Sequence, residues 1–223
     1  MTTVSPNLYA RRGHQVWAAG TPWANPSIGL GPYYSESVPP GIHGSAKWLC
    51  SNAPGLGGLG CVDPGPNMGY SVRDGALDLK SGVPGWSMIS RETFPRTQYV
   101  SLQWVMAGKV TDPVPDAFHS VGFYNGERDY RTVNLMRGTL PGKLNLVLLS
   151  EPDHRISTLV ENYTVENGYH LFRIDHEFGT WRYFADDVLL REETSGPLSH
   201  DFHICVFMGG MDGSLGSMVV NVE

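Results

Sequence analysis

The residues best suited to move a proton lie on one alternating stretch near the C-terminus, Asp201-Phe202-His203-Ile204-Cys205-Val206-Phe207. In a strand, Asp201, His203, Cys205 and Phe207 share one face, and Phe202, Ile204 and Val206 share the other. An imidazole titrates near neutrality, and a carboxylate two residues away on the same face can orient it. His203 is therefore the general acid/base candidate and Asp201 its partner; a histidine bonded to a neighbouring strand or loop gives the same pattern. A second stretch, Tyr130-Arg131-Thr132-Val133-Asn134-Leu135-Met136, puts Tyr130, Thr132, Asn134 and Met136 on one face. Tyr130 and Asn134 can steady charge on a carbonyl or ether oxygen, so they join His203 as catalytic candidates, with Thr132 and Met136 lining the site.

Three further residues are substrate-binding candidates. His119 opens the strand pattern Phe118–Tyr124, and Gln103 offers a hydrogen-bonding amide within Val100–Met106. On that last segment Trp104 and Met106 face away from Gln103, which fits core packing as well as a ligand platform. Metal binding is not expected: His200 and His203, three apart, fall on opposite faces of a strand, and no Cys/His spacing suits zinc. Nucleophile elbow, P-loop and dinucleotide fingerprints are absent from the sequence, so no cofactor is expected. Cys50 and Cys61 flank a Gly-rich loop and read either as a bridge or as two loop thiols, whereas Cys205 reads as a small buried hydrophobe.

The elements that position these residues are strands. From residue 70 onward strand signals recur about every ten residues: 76–80, 86–92, 99–109, 119–124, 130–137, 143–150, 155–159, 169–176, 180–185, 188–192, 202–208 and 217–222. No stretch longer than about ten residues carries a helical apolar period. Residues 20–70 are broken by Gly and Pro but hold Trp23, Tyr33, Tyr34, Trp48 and Tyr70, so ordered loops packed on a sandwich are expected there. The expectation is one domain over residues 1–223, an antiparallel two-sheet jelly-roll sandwich with long N-terminal loops.

The most legible piece is Gly168–His176 followed by Thr180–Arg191, a strand, turn, strand, Asp186-Asp187 turn and strand. It resembles the "W-H-x-Y-x-I-x-W … I-x-F-Y-V-D-G-x-L-V" hairpins of the concanavalin A-like lectin/glucanase superfamily. Phe202–Gly210 is similar to the late strand that laminarinase-type members write "Y-L-I-L-N-L-A-V-G-G", and Gly216–Val222 to their closing "M-x-V-D-Y-V-R-V" strand. The resemblance covers residues 75–223. It implies that the strands carrying His203 and Asn134 belong to the sheet forming a concave cleft. It also implies where a glycosidase motif, E-x-D-x-x-E, would stand: on Tyr130–Met136, which has no carboxylate. Glu127 and Asp129 lie just upstream and read as turn residues or as a displaced acid pair. Retaining hydrolysis needs two carboxyl groups about 5 Å apart, and a lyase-type Gln-x-His pair is missing at Gln103.

Composition narrows the partners. The 223 residues carry a net charge of −6 with 16 basic residues and no basic cluster, which disfavours nucleic acid and anionic membranes. The longest apolar runs, such as Leu146–Leu149, are strand-sized, and Met1–Pro6 shows no leader pattern, so a cytoplasmic protein is expected. The sequence thus points to a cytoplasmic enzyme that takes a bulky, largely apolar molecule, a cyclase or isomerase of secondary metabolism. The alternatives are a glycan-active hydrolase or lyase with relocated residues, and a lectin-like binder of oligosaccharides.

Overall fold

A computed structural model describes residues 14–19, 48–50, 70–73, 76–79, 86–109, 118–125, 130–137, 140, 143–150, 155–163, 170–195, 200–209 and 212–223. Among these residues there is no helix. Fifteen strands form: β1 His14–Ala19, β2 Trp48–Cys50, β3 Tyr70–Arg73, β4 Ala76–Leu79, β5 Trp86–Ser90, β6 Val100–Lys109, β7 Phe118–Tyr124 and β8 Tyr130–Arg137. They continue with β9 Leu144–Ser150, β10 Arg155–Tyr163, β11 His170–Glu177, β12 Thr180–Ala185, β13 Val188–Thr194, β14 His203–Gly209 and β15 Asp212–Val222. One sheet runs β13-β12-β11-β6-β15-β4-β3, with β1 also on β15; the other runs β10-β9-β8-β7-β14-β5-β2. Every pairing is antiparallel, as the all-β jelly-roll expectation requires.

Between the sheets, alternate residues of both make one apolar core. Leu102, Trp104, Met106, Phe172, Ile174, Trp181, Tyr183 and Val220 come from the first sheet; Val121, Phe123, Val133, Leu135, Leu146, Ile204 and Val206 come from the second. Such interdigitation is how aligned sandwiches fill the space between sheets. Gly122 lets β7 and β8 approach closely, since a Cβ there would stand 2.1 Å from the Arg131 carbonyl oxygen and 2.6 Å from Thr132 Cα. The expected strands from residue 76 onward are all present, with β10 and β15 longer than their periodicity indicated. β2 arises inside the stretch 20–70 read as loops, and β1 lies just before it. Three to six residues with neither alternation nor bounding apolar runs give no strand signal of their own, and it is the free edges of β15 and β5 that pair them.

One end of the sandwich is closed by a polar cap. His176 of β11 packs on Trp181 with ring centroids 4.4 Å apart and on Phe202 at 5.1 Å. Its Nε2 accepts a hydrogen bond from the Gly179 amide at 3.2 Å. Across the interior, the Arg131 guanidinium lies 5.6 Å from the Trp181 ring and 3.8 Å from Glu193, which in turn accepts the Tyr183 hydroxyl at 2.9 Å. Burial, then the Arg131 charge, push the His176 imidazole down to about 4, although Glu177 opposes them, so it is neutral at physiological pH.

Candidate functional site

The register of β14, β7, β8 and β9 builds the site on the outer face of the seven-stranded sheet. His203 stands beside Tyr124, and Tyr124 beside Tyr130; Cys205 is followed by Gly122 and Thr132. Phe207, Ser120, Asn134 and Val147 make the next row, and Met136 with Asn145 the last. Alternation therefore did separate the faces correctly: Tyr130, Thr132, Asn134, Met136 and His203 are brought together. Because Gly122 has no side chain, the middle row is low between an aromatic wall and a mixed one. The aromatic wall is Tyr124 stacked on Tyr130 at 4.9 Å and 15°, and Phe207 of the third row reaches across the low middle row to stand edge-on to Tyr130 at 6.1 Å.

The polar groups in these rows are short and well buried. Asn134 Nδ2 donates to the Val147 carbonyl at 3.1 Å and to Thr132 Oγ1 at 3.2 Å, which leaves its Oδ1 as an acceptor. Ser120 Oγ, beside Asn134, is buried with no hydrogen-bond partner among the described residues. A buried hydroxyl left unpaired costs about 1–3 kcal/mol, so Ser120 is the point in the face most in need of a ligand oxygen or a water. Burial raises the Cys205 thiol well above its ordinary range, against a hydrogen bond with Gly122, so Cys205 is not a nucleophile. Tyr124 is raised too, first by burial and then by Cys205, and stays a neutral phenol.

His203 is half-buried, and its Nδ1 donates to the Ser90 carbonyl at 2.7 Å. That bond fixes the tautomer and leaves Nε2 as the basic nitrogen. Asp201, the partner expected from alternation, does not orient it. The strand starts at His203, Phe202 forms an isolated bridge to Phe94, and the Asp201 carboxylate accepts the Arg96 amide at 3.1 Å instead. Three other candidates do not reach this face. His119 belongs to the row of Leu135, buried between the sheets, and Trp104 lies in the same core, stacked on Phe172 at 5.7 Å. Gln103 sits in the other sheet, on its outer face beside Arg173 and Val219. Glu127 and Asp129, and residues 20–47 and 51–69 with Cys61, expected to form packed loops, lie outside the described residues, so the acid pair and the Cys50–Cys61 bridge are not placed.

These four rows contain no carboxylate, and no group of three metal-ligating side chains occurs among the described residues. Chemically the face is lined by aromatic rings, hydroxyls, an amide oxygen and one imidazole, all of them buried in the chain except the half-buried His203, Met136 and Asn145. Residues that sequence reasoning missed are Ser120, Tyr124 and Gly122, whereas Cys205 is the small buried hydrophobe expected, in the middle row. Ser120 and Tyr124 share the Phe118–Tyr124 alternation, so choosing the other face of that strand would have found them.

No protein-family model matches the chain, and no curated protein matches it. Solved structures do. One described under endo-acting O-glycanases that initiate mucin breakdown in prominent members of the human gut microbiota aligns at TM-score 0.62 and 12% identity, over 94% of this chain and 99% of that one. The Emp47p carbohydrate recognition domain aligns at TM-score 0.55 and 11% identity, over 84% and 91%. The Bacillus licheniformis beta-glucanase aligns at TM-score 0.54 and 13% identity, over 79% and 92%. At such identities the likeness is one of architecture alone, and it is the architecture the hairpins resembled: this chain has the concanavalin A-like lectin/glucanase fold.

Proposed function

We propose that the chain recognises a carbohydrate on the outer face of the seven-stranded sheet, and that it does so without the carboxylate pair of a retaining glycosidase. The observation that carries this is the make-up of the four rows: an aromatic wall of Tyr124, Tyr130 and Phe207 beside Ser120, Thr132 and Asn134, with no carboxylate among them. Apolar ring faces and short hydroxyl and amide groups are what a pyranose needs, one for its C–H face and the other for its hydroxyls. Sugar-directed neighbours of the same fold support the reading. The test is an oligosaccharide array covering β-glucan, xylan and mucin-type glycans, probed with the wild type and with Ser120→Ala and Thr132→Val. Both changes remove a hydroxyl and little volume. Each is expected to weaken the best ligand about 3- to 10-fold, the worth of one hydrogen bond, on a fold that still melts cooperatively. Ser120→Ala melts no lower than wild type because its hydroxyl is unpaired among the described residues, and Thr132→Val melts slightly lower because it gives up the Asn134 amide. Binding equal to wild type in both variants would remove the site from this face.

One observation favours a second reading, a cyclase or isomerase acting on an apolar molecule. Tyr124, Tyr130, Cys205 and Phe207, with Ile89 packed against them, form a buried apolar cluster on this same face, apart from the core between the sheets. His203 would then be the proton-moving group and Tyr130 and Asn134 its hydrogen-bonding neighbours. Loss of an acid/base slows turnover about 10²–10⁴-fold. On that reading His203→Ala loses this much on an intact fold, and activity within about threefold of wild type rejects it.

A further inference from the structure

The β11–β12 hairpin turns at Phe178-Gly179, and both residues have positive φ, 48° and 81°. Glu177 pairs with Thr180 across this two-residue loop, so it is a primed turn of the kind that Asn-Gly, Asp-Gly and Gly-Gly fill well. Phenylalanine fills it badly. A bulky side chain in the left-handed region is strained, and here the residue is also 78% exposed and its ring stacks on no other ring among the described residues. Strain and apolar exposure fall on the same residue, and no ring among the described residues packs on it to offset either.

The turn beneath the ring is nevertheless held from several sides. The Gly179 amide donates to His176 Nε2, and the Gly179 carbonyl accepts the Ser195 amide at 2.8 Å. Trp181 Nε1 donates to Ser195 Oγ at 3.1 Å. A conformation so over-determined by its surroundings persists only because they enforce it, and residues of this type cluster at ligand contacts. Next to the turn runs a fixed row of charges: Arg182 lies 3.6 Å from Glu177 and donates to Glu192 at 2.6 Å.

We propose that Phe178 is a second carbohydrate contact, stacking on one sugar ring while the Glu177–Arg182–Glu192 row takes that ring's hydroxyls. The proposal rests on the carbohydrate reading above and adds a contact in the other sheet. The occupant follows from the chemistry. One aromatic beside ion-paired carboxylates and a guanidinium matches a pyranose, with its apolar face and its ring of hydroxyls. A lipid surface would meet two carboxylates and a single ring, and a protein partner would want a wider apolar patch. Aromatic rings worth holding rigid before the ligand arrives lower the ordering cost of binding.

The experiment compares wild type, Phe178→Asn and Phe178→Trp, each full-length, against laminarin, lichenan and mucin by affinity electrophoresis and on the oligosaccharide array. Asparagine tolerates the turn, so Phe178→Asn is expected to melt about 2–4 °C higher while binding its best glycan about 3- to 10-fold more weakly. Phe178→Trp is expected to keep binding within about twofold, since it retains a stacking face. Undiminished binding by Phe178→Asn overturns the proposal while leaving the sheet-face reading intact. Weakening by Phe178→Asn together with unchanged binding by Ser120→Ala and Thr132→Val does the reverse. Wild type that binds no glycan in either format overturns both.

Discussion

Acidification should destabilise this fold through His176, and the size of the effect follows from where the imidazole sits. In the folded chain it is buried between Trp181 and Phe202 with Arg131 across from it, and it titrates near 4 rather than 6.5. Above pH 6.5 it is neutral folded and unfolded, so it contributes no pH dependence. Between 6.5 and 4 the unfolded chain binds a proton that the folded chain refuses, and stability falls by up to about 1.4 kcal/mol per pH step. Below 4 both states are protonated and the loss stops growing, at roughly 3 kcal/mol in total. Between pH 7 and pH 5 the expected share is about 2 kcal/mol. Carboxylates also respond to acid, so the measurement is a difference: urea unfolding followed by tryptophan fluorescence, at pH 8, 7, 6 and 5, for wild type and His176→Gln. Glutamine can still accept the Gly179 amide but has no proton to gain. The wild type should lose about 2 kcal/mol more than the variant from pH 7 to 5. Curves that run parallel, within about 0.5 kcal/mol, would refute the reasoning and remove Arg131 and burial as its causes.

Gly122→Ala should separate β7 from β8, because its Cβ would stand 2.1 Å from a backbone oxygen that cannot move alone. Destabilisation of about 3 kcal/mol or more is expected in urea unfolding, and a variant within about 1 kcal/mol of wild type would contradict the close approach. The chain should release no reducing sugar from laminarin by double displacement, since β8 carries no carboxylate. Release that Glu127→Gln abolishes would show a displaced acid pair at work.

Most strands were legible because turn residues and short apolar runs punctuate the chain from residue 76 onward. The hairpins of β11, β12 and β13 were the plainest, since Phe178-Gly179 and Asp186-Asp187 are two-residue turns at positive φ between alternating strands. What the sequence did not reveal was which face of a strand looks at the other sheet. In β7 His119, Val121 and Phe123 point to the core and Ser120 and Tyr124 away from it, yet every one of them is buried. With both faces out of water, the polar-out signal that would have separated His119 from the site is gone. Gln103 fails for the same reason on the outer face of the other sheet, where Ser101, Gln103 and Asn221 are buried. Asp201 was lost to a strand boundary two residues later than alternation implied, a common error at element ends.

The pairing of β1 and β6 with β15 has a consequence for how the chain comes to its shape. β15 lies between β6 on one side and β1 and β4 on the other, joining residues 14–19 to residues 218–222. The larger sheet therefore stays open until β15 has been synthesised, with β6 paired on its β11 edge alone and β1 without its β15 partner. The β11–β12–β13 meander closes its turns locally and early, whereas loops of this length close slowly. During synthesis the nascent chain holds unpaired apolar edges for most of its length, the interval in which strand-rich proteins are most exposed to aggregation. Shielding those edges during synthesis, rather than strengthening the finished sandwich, is what would decide its yield.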